Sequence, residues 1–297
     1  LEAIRWPDGP ICPHCGNVDH DTIKPVKGAK QSHRPGLYYC NACKGQFTVT
    51  VGTVMERSKV ALHKWVLAFH LYASSKKGIS AHQLHRMLGV TYKTAWFMAH
   101  RIREAMRNDD KTPMGSGGGS VEIDETFIGK DPKFRRYAKS NVGTRQKMKV
   151  LALVDRETGK ARTQVIDHLS ARDITPILKE NIAKEARVFT DEASYYRRLG
   201  AQFAEHQAVN HSRDEWARGE AHTNTLEGYF SIFKRGMKGV YQHCGKQHLH
   251  RYTAEFEFRY NHRAALDVDD DMRAAAIAKG AEGKRLTYRP TDTRASA

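Results

Sequence analysis

The stretch SVEIDETFIG, residues 120–129, decides how the chain is read. Its apolar and polar side chains alternate with the period of a β-strand. Asp124 sits inside this otherwise apolar strand, where an ionised carboxylate costs desolvation energy unless it is paired or binds a metal. A second acid, Asp191, ends another short apolar run, ARVFTDEAS (186–194). A third element, HTNTLEGYFSIFKRGMKG (222–239), is amphipathic at helical spacing and mixes Asn224, Glu227, Lys234 and Arg235 with apolar residues. Leu226, Tyr229, Phe230 and Phe233 form the face that packs, so Glu227 and Lys234 need another explanation.

The elements between these points set the fold class. KVLALVDRETGKARTQVID (149–167) reads as a β-hairpin turning near Glu157-Thr158-Gly159. SARDITPILKENI (170–182) reads as a helix capped by Ser170, with Asp173 at the third position. A short helix is expected over 195–200, a strand over 204–212 and a helix over 223–238. Three antiparallel strands, a helix, a further strand and later helices describe an α/β, ribonuclease H-like domain with a mixed sheet, placed at 121–265. Two strands and a helix meeting at one end of such a sheet can bring carboxylates from separate elements around two divalent cations, which phosphodiester chemistry uses about 4 Å apart. Mg²⁺ takes oxygen ligands and keeps waters, so three carboxylates suffice. Other acids compete for these roles. Glu122 shares the strand face of Asp124 by period two and could be the ligand instead, Glu125 flanks it, and Glu192 could replace Asp191. Asp155 and Asp173 read as structural, and so, by default, do His211 and His222.

Upstream, Cys12-Pro-His-Cys15 and Cys40-Asn-Ala-Cys43 present two thiolate pairs from two tight turns. That spacing suits tetrahedral zinc in a closed, structural site, with GQFTVTVGTV (45–54) expected as a strand beneath it. A disulfide framework is the weaker alternative, and Cys244 stands apart as an ordinary thiol. The ribbon is assigned to 1–57. VALHKWVLAFHLYAS (60–74) reads as a helix. GISAHQLHRMLGVTYKTAWFMAHRIREAM (78–106) reads as helix, turn, helix, with Leu84, Met87 and Leu88 on the first apolar face, Gly89-Val90 in the turn and Thr91 as cap of the second. On the second helix Lys93, His100 and Arg101 are expected outward and Ala95, Trp96, Met98 and Ile102 in the core. A helix-turn-helix domain over 58–108 would place that helix in the major groove; an ordinary helical hairpin is the plain alternative. Residues 109–120, rich in Gly and Ser, read as a flexible linker or domain boundary, and 266–297 as a charged tail ending in the disordered RPTDTRASA.

The chain has 297 residues and a formal net charge of +16, with the basic excess densest in residues 1–110. Such an excess points to a polyanion, because Lys and Arg neutralise phosphates and release counterions. No apolar run reaches the roughly 18 residues of a membrane span. LEAIRWPDGP shows no signal-peptide pattern, and the sequence starts without Met, as a fragment would.

Taken together, CPHCG, YYCNACKGQF, VEIDETFIG, VFTDEAS and VNHSRDEWARGEAHTNTLEGYFSIFKRG resemble, in this order, the bacterial insertion-sequence transposases of the DDE type with an N-terminal zinc ribbon, over about residues 11–265. The resemblance implies a ribonuclease H-like catalytic domain using Mg²⁺ or Mn²⁺, two ions in all. It implies DNA partners, element ends and target, with cleavage that releases a 3′-OH and its transfer to target DNA. It also implies a homodimer or higher oligomer on DNA, a bacterial cytoplasmic, nucleoid-associated location and no membrane. It carries Asp124 and Asp191 over as catalytic aspartates and Glu227 as the third ligand, followed seven residues on by Lys234. Asn224, one helical turn before Glu227, is the alternative third ligand, since some relatives use Asn there. Lys234, Arg235, Lys93 and Arg101 are the expected DNA contacts. A nuclease that cuts without joining, or a DNA-binding regulator derived from a transposase, would share most of these features.

Overall fold

In the computed structural model, which describes residues 1–27, 35–137, 143–197, 201–209 and 222–287, the chain forms two compact units. One holds Leu1–Ser75, Ile79–Arg107 and the segment from Asp269 onward; the other holds Lys76–Gly78 and Asn108–Val268. His211, the end RPTDTRASA, and parts of the helix expected at 195–200 and of the strand expected at 204–212 lie outside the described residues.

In the first unit, α1 (Glu2–Arg5) precedes a small antiparallel sheet of β1 (Ile23–Pro25), β2 (Tyr38–Cys40) and β3 (Gly45–Phe47). β3 stops at Phe47, so the longer alternating strand expected over 45–54 is not formed; the chain turns at 49–52 instead, and Thr53 bridges to Glu282. Trp6, Ile23, Phe47 and Val49 bury a small core beside Cys12 and Cys40, with Trp6 edge-on to both Tyr38 and Phe47. Three helices follow: α2 (Leu62–Ser74), α3 (Ala81–Leu88) and α4 (Tyr92–Met106). The turn is as expected. Thr91 Oγ1 accepts from the Thr94 amide, and Gly89 closes α3 at φ 59°, a left-handed conformation that favours glycine.

Three expectations in this unit are corrected. Met87 is exposed, while Leu84 and Leu88 alone turn inward from that helix face. His100 and Arg101 are buried, together with every residue from Met98 to Met106. Arg101 donates to the carbonyls of Glu56 and Leu286 and lies over Phe97, and Arg103 donates to Tyr72 Oη. Finally, the segment read as a tail contains α8 (Asp270–Gly280), capped by Asp269. This helix packs on α2, α4 and α1, burying Ile277 and Ala278. Its alanine-rich composition, which resembles a solvated tail, is what lets it approach closely: a side chain at Gly280 would meet Ala105 O at 2.4 Å.

The second unit is built on a five-stranded sheet: β4 (Ser120–Ile128), β5 (Met148–Asp155), β6 (Ala161–Ile166), β7 (Arg187–Asp191) and β8 (Glu205–Val209), in spatial order β6-β5-β4-β7-β8. β4, β5 and β6 are antiparallel; β7 and β8 run parallel to β4. This mixed sheet, with α5 (Ala171–Asn181), α6 (Asn224–Gly236) and α7 (Lys246–Asn261), is the ribonuclease H-like α/β fold that the element order predicts. Alternation along β4 sorts the two faces. Val121 and Ile123 join Ile174 and Leu178 of α5, whereas Ile128 joins the Leu226, Phe230 and Phe233 face of α6 and Leu249 and Phe256 of α7.

The Gly-rich stretch before β4 is an ordered loop rather than a flexible linker. Met114 bridges to Ile182, and the Gly115 amide donates to Asp155 Oδ2 at 2.8 Å. Gly115 has φ 72°, and a Cβ there would meet Ala186 Cβ at 2.6 Å. Its glycines serve backbone geometry, and Asp155 is structural, as expected.

α6 is docked by Glu122. This carboxylate, fully buried on β4, accepts from Arg156 Nε at 2.8 Å and from the Leu226 amide at 3.0 Å, one of the helix's unsatisfied first-turn donors. Removing one partner of a buried pair strands the other. Glu122→Ala is therefore expected to destabilise this unit by about 3–5 kcal/mol, measured as a loss of thermal stability with faster amide exchange in the first turn of α6.

Candidate metal centres and the family they belong to

The parallel register of β4 and β7 places the first site. Glu122 pairs with Phe189; two residues on, along the same strands, stand Asp124 and Asp191. Oxygens of Asp124, Glu125 and Asp191 lie within 4.8 Å of one another. Asp124 Oδ1 accepts the Glu125 amide at 2.7 Å, and Asp191 Oδ1 accepts the Ala193 amide at 3.0 Å. Glu125 is held by two hydroxyls, from Tyr195 and, at 2.9 Å, Tyr196.

Burial, the adjacent Glu125 charge, Asp191 and Glu227 together push the Asp124 carboxyl up to about 8. Burial also raises Glu125. Three carboxylates crowded in a desolvated place make a donor set for a hard divalent cation. All offer oxygen, so the residues present fit such an ion.

Asp124 and Asp191 come together. Glu227 lies outside the close group, exposed on the first turn of α6, yet near enough for its charge to raise Asp124. Asn224 is the first residue of that helix and is also exposed. Glu122 is not in the group, although it shares the face of Asp124: its oxygens are taken by Arg156, the Leu226 amide and, at 3.3 Å, His222 Nδ1. His222 is thereby structural. Lys234 and Arg235 are exposed on the last turn of α6, Lys234 Nζ 5.8 Å from the Phe230 ring centre. Lys93 is exposed, while Arg101 is not available as a free DNA contact.

Sequence reasoning underrated Glu125, because period two points it away from Asp124. It missed Tyr195 and Tyr196 altogether. The adjacent tyrosines just after Asp191 were the available signal.

The second centre is the ribbon. The Sγ atoms of Cys12, Cys15, Cys40 and Cys43 lie within 4.8 Å of one another, at 3.6 Å for Cys12–Cys43 and 3.8 Å for Cys15–Cys40. A tetrahedral zinc with Zn–S bonds of about 2.3 Å sets its sulfurs roughly 3.8 Å apart. None of the four is in a disulfide. The Cys43 amide stabilises the Cys40 thiolate and lowers its thiol to about 6, the form that ligates metal. The four thiols fit zinc.

With the geometry in hand, comparison with known proteins is specific. Residues 117–261 match the ISXO2-like transposase domain, and residues 1–46 match the transposase zinc-ribbon domain. The chain belongs to the insertion-sequence transposases with an N-terminal zinc ribbon. A similar protein, described as an uncharacterized protein in transposable element ISH50 of Halobacterium salinarum, is 28% identical over 271 residues, covering 87% of this chain and 88% of its own length. An uncharacterized transposase-like protein of Haemophilus influenzae is 26% identical over 102 residues, covering 34% of this chain and 81% of its own. Likeness to a chain in the cryo-EM structure of a simian T-cell lymphotropic virus intasome with PP2A regulatory subunit B56 gamma is slight, with TM-score 0.31 and 10% identity over 67% of this chain and 74% of the other. Among the described residues of this transposase, no helix is long and apolar enough to cross a membrane.

The raised Asp124 carboxyl has a consequence for the metal-free transposase. Between its ordinary value near 3.8 and about 8, the folded state holds a proton that the unfolded state has lost. Stability is therefore highest at the acid side of that window and falls as pH rises, levelling off above about 8. Asp124→Asn is expected to flatten the decline, so that in EDTA its melting temperature exceeds that of the wild type by more at pH 8 than at pH 5.

Proposed function

We propose that this transposase binds the ends of its insertion sequence, cleaves them by metal-dependent phosphodiester hydrolysis and joins the released 3′-OH to target DNA. The observation that carries the reading is the convergence of Asp124 and Asp191, from neighbouring parallel strands, at the end of the sheet where α6 begins. Divalent cations, Mg²⁺ or Mn²⁺ and two in number, would supply Lewis acidity and neutralise charge on the scissile phosphate. Asp124 and Asp191 would hold them, with Glu227 as third ligand and Asn224 as its alternative. Glu125, fixed by Tyr195 and Tyr196, keeps a further carboxylate beside the pair. Lys234 and Arg235 lie about two turns beyond Glu227 along α6, suited to steadying the DNA backbone. Positioning of an attacking oxygen in line with the leaving group then suffices, without a covalent enzyme intermediate. DNA ends and target are the partners, and assembly as a dimer or higher oligomer would bring two ends together.

Incubation with Mg²⁺ and labelled element ends tests the reading. Asp124→Asn and Asp191→Asn are each expected to abolish cutting while DNA affinity stays within about twofold, since the basic surface is untouched. Glu227→Gln is expected to be inactive and Asn224→Ala measurably weakened; full activity in the first beside a dead second moves the third-ligand role to Asn224. Cutting without joining in the wild type would make the protein a nuclease.

The ribbon is read as a structural zinc site held by Cys12, Cys15, Cys40 and Cys43. Purified protein should carry one zinc per chain, and Cys40→Ser should lose it and unfold the ribbon, because metal affinity there is folding energy. Metal analysis and proteolysis of residues 1–57 check this.

A further inference from the structure

The first unit contains a groove of about 820 Å³ between the segment leading into α2 and the start of α4. Arg57, Lys59, Lys64, Lys93 and Arg101 line it, and no carboxylate does so among the described residues. Arg101 donates to carbonyls at the floor, and Lys64 Nζ, half-buried, to the Gly89 carbonyl at 3.4 Å. Arg57, Lys59 and Lys93 are exposed around the opening. Glu56, the carboxylate adjoining them in sequence, accepts the Gly52 amide at 3.1 Å and approaches Arg57 only to 3.7 Å. Like charges gathered around one concavity repel one another and are stabilised by a polyanion entering it.

Two further observations point the same way. α4 is buried from Met98 to Met106, so it has no long free face to lay in a major groove. Its fully exposed residues are those of its first turn, Tyr92 and Lys93, beside this opening, with Thr94 and Phe97 half-buried behind them. Arg57, moreover, is held at φ 56°, a left-handed conformation that favours glycine. A charged side chain stands there at some cost to the backbone.

We infer that this groove seats the phosphate backbone of duplex DNA, with Arg57, Lys59 and Lys64 as the phosphate clamp and α4 meeting the duplex by its first turn rather than along its length. The inference rests on the reading that DNA is the substrate and adds where and how the first unit grips it. A phosphate clamp contributes equally for every sequence and adds to the salt dependence of binding.

The test uses the full chain and a random-sequence duplex, with affinity measured across a salt series. Lys59→Ala/Lys64→Ala is expected to lower the slope of log affinity against log salt by about one unit per cation. Arg57→Gly is expected to lower it by about one unit while the melting temperature stays level or rises, because glycine suits that backbone. This second variant separates lost contact from lost fold. If the wild type has no affinity for duplex DNA, the reading of DNA as substrate fails and this inference fails with it. If the wild type binds and the variants keep its slope, the clamp alone is overturned.

Discussion

A single buried carboxylate organises the second unit. Glu122 has no exposure to solvent, and a charge so placed is tolerated only when its lone pairs are filled. Arg156, just beyond β5, fills one side, and the first-turn amide of α6 fills the other. Arg156 also donates to the His222 carbonyl at 2.6 Å and lies 4.4 Å over the Phe189 ring on β7. One ion pair thus ties together two central strands, the hairpin turn and the approach to α6. The direction in which that helix starts, and with it the location of Asn224 and Glu227, depends on this knot.

Two residues further along the same strands the solution is the opposite. Asp124 stands close to Asp191, and Glu125 adds a third carboxylate beside them. The fold holds them together against desolvation and mutual repulsion, which is why the Asp124 carboxyl sits so far above its ordinary range. Glu122 and Asp124 share one strand and one face, yet one is neutralised from within the protein and the other is left for a counter-charge from outside. A functional site is the expected place for carboxyls crowded and shifted in this way.

The first unit divides its labour in the same way. Four thiols and a small aromatic core hold the ribbon, where three-residue strands could not bury enough apolar surface alone. The adjoining helices pack on one another and on α8, which returns from the far end of the chain. That return consumes most of α4 as core. The basic residues left around its first turn make the accessible surface of this part of the molecule strongly cationic.

The sequence by itself determined most of the elements. Alternation marked β4 and the β5–β6 hairpin, Ser170 and Thr91 marked helix starts, and the CxxC spacing marked the ribbon, because each signal is local and its physics acts within a few residues. Asp124 and Asp191 were legible because an acid inside an apolar strand is conspicuous. What the tertiary structure alone decided was the fate of residues whose partners lie far along the chain. Glu122 and Asp124 obey the same period-two rule, and only the arrival of Arg156 and α6 assigns one to structure and leaves the other in the acidic group. Arg101 and His100 look like an outward basic face until α8 and the segments around Glu56 and Leu286 cover that side of α4. Glu125 and the tyrosines that hold it meet only when β7 pairs with β4. Burial and pairing between distant segments are properties of the packed chain, and local periodicity carries no record of them.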